Sequence, residues 1–166
     1  LQVHNLRGWP AHLPMLADMK AAGEVRYVGV TKSHGRRPGP LEQILRNEPV
    51  DFVQLTLNPL DRAAERRLLP LAMDRGIAVI VNRPFRRGAL TRRLQGAPLP
   101  GFAAELGAAT WAQLILKFIL AHPAVTVAIP ATTVPDHAAE NLMAAREPLP
   151  DAAMRQRIAD AVEEAA

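Results

Sequence analysis

His4 stands near the end of the alternating run Leu1–Leu6, on the face of Gln2 and opposite Leu1 and Val3. An imidazole at a strand end can hydrogen-bond a carbonyl oxygen and stabilise charge that develops there. The alternative is a histidine satisfied within the core. A second cluster is Arg83-Pro84-Phe85-Arg86-Arg87-Gly88, which with Arg92 and Arg93 puts five arginines within eleven residues. Guanidinium forks, and a glycine that lets backbone come close, suit a phosphate group; a solvated charge cluster is the alternative. Thr132 and Thr133 precede a helix expected to begin near Pro135, where hydroxyls and free N–H groups suit an anion. His12, His34 and His122 form no pair at metal-ligand spacing, so no metal is expected. Glu163 and Glu164 read as solvated residues of a terminal helix.

The pattern of the chain supplies elements to position these residues. Strand-like runs recur at Leu1–Leu6, Val25–Thr31, Asp51–Asn58, Ile77–Arg83 and Val125–Pro130, with starts 24, 26, 26 and 48 residues apart. Between them lie stretches of helical spacing. Met15, Leu16, Met19 and Ala22 form one face ending at Gly23, and Leu41, Ile44 and Leu45 form another. Pro70 is expected in the first turn of a third helix. Thr110 and Gln113 have capping-box spacing ahead of Leu114, Ile115, Phe118 and Ile119, and Met154, Ile158, Ala161 and Val162 repeat in a last helix. Strand–helix alternation at this interval predicts a parallel sheet. A doubly wound sheet should show a glycine-rich turn after an early strand, but only Gly8 follows the first run. In Asp51–Asn58, Val53, Leu55 and Leu57 alternate with Phe52, Gln54 and Thr56, which gives the polar inner face of a barrel with a site at its C-terminal rim.

Composition narrows the class. With 49% hydrophobic and 22% charged residues the chain is not a disordered one. It has no cysteine, which excludes a disulfide scaffold, a thiolate metal site and a cysteine nucleophile. The net charge of +4 is modest, and aromatic residues at 4% are too few for the stacking platforms of a nucleic-acid binder. Trp111–Ala121 is shorter than the roughly 20 apolar residues a membrane span needs. No nucleic-acid or membrane partner is expected. The start at Leu1 reads as a cut end, and the cytoplasm is the expected location.

Leu1-Gln2-Val3-His4-Asn5, Val25-Arg26-Tyr27-Val28-Gly29-Val30-Thr31, Val50-Asp51-Phe52-Val53-Gln54-Leu55 and Ile129-Pro130-Ala131-Thr132 through His137 to Glu140-Asn141-Leu142 occur in order on matching elements. Together they resemble the aldo/keto reductase family, from Leu1 to about Arg157. The resemblance implies an α/β fold, a partial (β/α)₈ TIM barrel in which residues 1–166 supply strands four to eight and the first three βα units are absent. It implies an NAD(P)H-dependent oxidoreductase that reduces small aldehydes or ketones, with His4 as the catalytic histidine. The family's aspartate, tyrosine and lysine would lie upstream of Leu1, so the chain is expected to be inactive alone. Tyr27 stands at the wrong end of its strand and is expected to be a packing residue. By resemblance, Thr31 and Gln54 hold the nicotinamide carboxamide, Lys32 replaces a common asparagine, and Asn82 replaces a stacking aromatic. Arg83, Phe85, Arg86, Arg87 and Gly88 take the pyrophosphate, and Thr132, His137, Glu140 and Asn141 take the adenosine end. His137 and Ala131 stand where the family carries cations for the 2′-phosphate, so NADP(H) is expected with NAD(H) as the alternative. The further partner is a missing N-terminal complement or a second copy. The competing reading is a non-catalytic nucleotide-binding or interaction module.

Overall fold

In the computed structural model, which describes residues 1–33 and 38–166, each strand-like run forms a strand shorter than the run itself. His34 lies outside the described residues. The strands are β1 (Gln2–Val3), β2 (Gly29–Thr31), β3 (Phe52–Thr56), β4 (Ala78–Asn82) and β5 (Val127–Ala128). They pair in parallel in chain order, with Thr31 beside Gln54 and Thr56 beside Asn82. Helices α1 (Trp9–Ala21), α2 (Gly39–Asn47), α3 (Leu68–Asp74), α4 (Ala89–Arg93), α5 (Trp111–Leu120), α6 (Pro135–Met143) and α7 (Ala152–Ala165) complete the chain. Strand order that never reverses is the order of a barrel wall, since a doubly wound sheet has a switch point. β1 and β5 each pair along one edge only among the described residues.

The alternation expected for the third run extends across the sheet. Val3, Val30, Val53, Leu55, Val79 and Val81 are buried against the helices. Gln2, Phe52, Gln54, Ala78 and Ile80 face the other side and keep solvent contact. Gly29 is required where the two faces meet. A Cβ there would stand 2.4 Å from the Phe52 carbonyl oxygen and 2.6 Å from its ring, so the β2–β3 pair could not close around it. The helices bury Leu41, Ile44, Leu45, Leu114, Ile115, Phe118, Ile119, Ile158 and Val162 in one core.

Several local signals act as expected. Gly23 (φ 78°) follows the end of α1, and Pro70 lies in the first turn of α3. The Thr110 hydroxyl accepts from the Gln113 N–H at 3.2 Å, while the Gln113 amide oxygen reaches back to the Ala109 N–H at 2.7 Å. Two expectations need correction. Met15 is 51% exposed, because the buried line of α1 runs through Leu13 and Leu16, and a residue one step away is rotated by about 100°. Tyr27 is not a packing residue: it is 57% exposed two residues before β2, where its carbonyl accepts from the Leu1 amino group. Lys117, 2% exposed, sits within α5 and donates to the Arg146 and Pro148 carbonyls at 2.6 and 3.0 Å. Burial pushes its pKa down, and the two bonds tie the loop beyond α6 to the core.

Candidate active site

The C-terminal ends of the strands meet in a hydrogen-bonded rim. β1 stops at Val3 because Asn5 (φ 53°) and Leu6 (φ 58°) take left-handed backbone, so His4 lies in the tight turn that follows the strand. That is a correction of one step: His4 follows the strand and does not belong to it. The Asn5 N–H donates to Thr31 Oγ1 at 3.1 Å, and the Asn5 amide oxygen accepts from the Ser33 N–H at 3.1 Å. The amide orientation is therefore set, and Nδ2 of Asn5 donates to His4 Nε2 at 2.9 Å. In the neutral ring the proton then sits on Nδ1, 3.4 Å from Thr31 Oγ1. His4 is exposed, but both its ring nitrogens are engaged. A carbonyl oxygen approaching the ring has to displace the Asn5 amide and meet the other tautomer.

The residues expected to hold a nicotinamide are gathered on this rim, with different immediate partners. Thr31 is 1% exposed and supports Asn5 and His4. The Gln54 side-chain oxygen accepts from Gln2 at 3.3 Å across two strands. The Lys32 N–H continues the ladder to the Gln54 carbonyl at 2.9 Å. Asn82 offers no surface to an aromatic ring. It is 6% exposed, accepts from the Thr56 hydroxyl at 2.7 Å and donates to the Lys32 carbonyl at 3.3 Å.

The arginine loop divides. Arg83 donates from Nη1 to the Ser33 carbonyl at 2.8 Å, while its buried Nε has no partner among the described residues. Arg86 binds Asp61 at 2.7 Å through Nε and the Leu60 carbonyl at 3.0 Å through Nη2. Its pKa is raised chiefly by the hydrogen bond to Asp61, against the opposing effect of burial. Arg86 therefore ties the loops after β3 and β4 together, and a phosphate would have to compete with a carboxylate for it. Arg87 is exposed. Arg83, Arg86 and Arg87 all have φ near +50° to +59°, followed by Gly88 at +79°. Left-handed backbone at bulky residues costs on the order of 1 kcal/mol each, and such strain gathers at functional loops. Among the described residues, positive φ outside glycine occurs only here and at Asn5 and Leu6, on the loops leaving β4 and β1.

A cavity of about 830 Å³ opens beside this loop. Its lining includes Phe85, Gly88, Arg92, Thr132, His137 and Asn141, with Trp111 in the wall. The adenosine-end candidates therefore converge with Phe85 and Gly88 in one space, although more than 40 residues separate Gly88 from Thr132 in sequence. Glu140 also lines it, but its carboxylate accepts from the Thr110 hydroxyl that caps α5. Arg83 and Arg86 line a different cavity of about 770 Å³, together with Lys32 and Asp61. Sequence reasoning gave no part in the site to Asn5, Ser33, Asp61 or Thr110, the partners that orient it. Thr110 was legible as a helix cap, and Asn5 as a residue type that tolerates left-handed backbone.

Comparison with known proteins accords with this geometry. Residues 9–162 match the sequence model of the aldo/keto reductase family. The NADH-specific methylglyoxal reductase of Escherichia coli (strain K12) is 33% identical over 89 residues, which is 54% of this chain and 26% of that protein. An uncharacterised oxidoreductase of Schizosaccharomyces pombe is 32% identical over 130 residues, 78% of this chain and 40% of that protein. An aldo/keto reductase of Klebsiella pneumoniae, solved with NADP and acetate, superposes with a TM-score of 0.75 at 20% identity, covering 97% of this chain and 57% of that one. The holo form of an aldo-keto reductase from Bacillus halodurans gives 0.74 at 22% identity, over 99% of this chain and 60% of that one. The chain thus spans less than two thirds of each of these relatives. Its five consecutive parallel strands correspond to part of their barrel. On the family match across nearly its whole length, this chain belongs to the aldo/keto reductase family.

Proposed function

We propose that this chain forms the dinucleotide-binding part of an enzyme that reduces small aldehydes or ketones with NAD(P)H. The observation that carries the reading is the cavity shared by Phe85, Gly88, Thr132, His137 and Asn141, beside the strained loop after β4. About 830 Å³ is within the range of ligand pockets, and it joins an apolar wall to a few polar groups, which suits an adenine nucleotide. The reduced nicotinamide, when bound, supplies the hydride. Thr31, Gln54 and Lys32 lie together at the rim where its carboxamide would be held. His4 orients the carbonyl: once Nε2 is released from Asn5, an N–H at that atom donates to the oxygen on which charge builds. Thr31 and Asn5 hold the ring plane, and the Thr31 hydroxyl can donate to Nδ1 once the proton has moved to Nε2.

Proton delivery is the missing function. Tyr27, the chain's one tyrosine, precedes Thr31 by four residues, roughly 13 Å along a strand at about 3.3 Å per residue. It cannot reach an alkoxide at the rim. The chain by itself therefore binds cofactor without turnover, and a further part carrying the family's aspartate, tyrosine and lysine completes the site. The edges of β1 and β5 that pair with nothing among the described residues, and the partly exposed Phe52 and Ile80 between them, favour a complement or a second copy against the open face. The test combines nucleotide fluorescence, an aldehyde-dependent absorbance assay and light scattering on the purified chain. Binding of NADPH or NADH without turnover, in a self-associated protein, is expected. Aldehyde reduction by a stable monomer overturns the reading of an incomplete site, and absence of any dinucleotide binding favours an interaction module.

A further inference from the structure

The strained loop after β4 borders two cavities. Phe85 and Gly88 line the one of about 830 Å³, whereas Arg83, Arg86 and Ala89 line the other, of about 770 Å³. The dinucleotide reading accounts for the first and leaves the second without an occupant. Leu55, Leu60, Ala64 and Leu68 give the second cavity an apolar wall. Its arginines differ in how far they are committed. Arg86 binds the Asp61 carboxylate, and Arg62 binds Glu65 at 2.7 Å and Gln156 at 2.8 Å. Arg83 stands apart. Its Nη1 donates to the Ser33 carbonyl, but among the described residues no carboxylate pairs with this guanidinium, and its buried Nε has no acceptor.

A buried N–H without an acceptor is rare in a folded chain, because it has given up water and gained nothing in exchange. The unused Nε belongs to the side edge of the guanidinium, where Nε–H and Nη2–H run parallel and match the paired oxygens of a carboxylate. The bond from Nη1 to Ser33 fixes the plane of that edge. We propose that the 770 Å³ cavity is a second ligand site, separate from the dinucleotide's, and that it takes a small organic carboxylate. The Nε–Nη2 edge of Arg83 holds the carboxylate oxygens, and the wall of Leu55, Leu60, Ala64 and Leu68 takes a short hydrocarbon body. The cation has no carboxylate of the chain to neutralise it, since nearby Asp61 is taken by Arg86. A nucleotide is a poorer match, because its polar sugar would lose water against leucine side chains. Arg83, assigned to the pyrophosphate by resemblance, thereby serves a different ligand on a different cavity.

Ligand-observed NMR titration of the purified chain with hexanoate, hexanamide and acetate tests the assignment without reference to turnover. Hexanoate is expected to bind at least about tenfold more tightly than hexanamide, the scale of one charge-assisted contact. Acetate keeps the charge but lacks the hydrocarbon body, and should bind at least about tenfold more weakly than hexanoate. Arg83→Ala should erase the preference for hexanoate over hexanamide, and Arg83→Lys, which keeps the charge without the fork, should retain part of it. Ala63→Trp, at an exposed position on the cavity wall, leaves Arg83 in place and should weaken hexanoate and hexanamide alike. Circular dichroism checks that each variant is folded. Equal wild-type affinity for hexanoate and hexanamide overturns the proposal, as does a preference that survives Arg83→Ala or binding indifferent to Ala63→Trp. Displacement of hexanoate by saturating 5′-AMP also overturns it, by placing the anion in the dinucleotide cavity. A chain that binds 5′-AMP but not hexanoate loses this second site and keeps the dinucleotide reading.

Discussion

Replacing Arg86 with alanine removes two hydrogen bonds at once, the 2.7 Å contact to Asp61 and the 3.0 Å contact to the Leu60 carbonyl. A sheltered hydrogen bond to a charged group contributes about 1.5–3 kcal/mol. The Arg86 and Asp61 side chains are 32% and 40% exposed, so solvent screens the pair. Roughly 1–2 kcal/mol for the whole clamp is then appropriate. In a domain of this size each kcal/mol moves Tm by about 2–4 °C, so Arg86→Ala should melt about 2–8 °C lower. Arg87→Ala, at the exposed neighbour, should stay within about 0.5 kcal/mol of wild type. Acid supplies a second check. The Asp61 carboxyl is held below its ordinary range by the Arg86 hydrogen bond, against burial and with help from Asn58. A carboxylate with a depressed folded pKa contributes fully above the ordinary range, and that contribution is lost as pH falls through the folded value. The Tm gap between wild type and Arg86→Ala should be constant near neutrality and narrow below about pH 4. Scanning calorimetry over this range decides the matter. Equal neutral-pH melting temperatures, or a gap indifferent to acid, would refute the clamp and return Arg86 to the pool of free phosphate ligands.

Two further expectations concern the frame around the site. Gly29→Ala forces a Cβ to 2.4 Å from the Phe52 carbonyl, so the variant should lose about 1–3 kcal/mol or more by urea denaturation; full retention of stability would show that β2 and β3 can part without cost. Glu65 is bonded by Arg155 at 2.6 Å and Arg62 at 2.7 Å. Burial opposes its ionisation, but these bonds outweigh it and its pKa lies below the ordinary value. Glu65→Gln should therefore cost about 1–3 kcal/mol near neutrality and progressively less below about pH 4; a cost that does not shrink in acid would count against the ion pair.

Residue order by itself determined the periodic features of this protein. Alternation in Phe52–Thr56 separated a helix-facing side from a barrel-facing side, because side chains on a strand point to opposite faces in turn. The spacing of Leu41, Ile44 and Leu45, and the Thr110–Gln113 cap, marked helices for equally local reasons. The motif order also placed His4, Thr31 and Gln54 at one end of the sheet. What each charged or polar group is bonded to was decided only by tertiary structure. Arg86, Arg87 and Arg92 are alike in sequence, but Asp61 faces the first, while the second and third are exposed and meet no carboxylate among the described residues. Asn82 was legible as a departure from an aromatic, yet its burial under Thr56 and Lys32 depends on strand register. Glu140 matched an adenine-contacting position and is instead joined to Thr110, thirty residues away. Local propensity acts within a turn or a strand. Ion pairs and hydrogen bonds are selected by which loops the folded sheet brings within about 3 Å of each other, and a pattern along the chain carries no record of that distance.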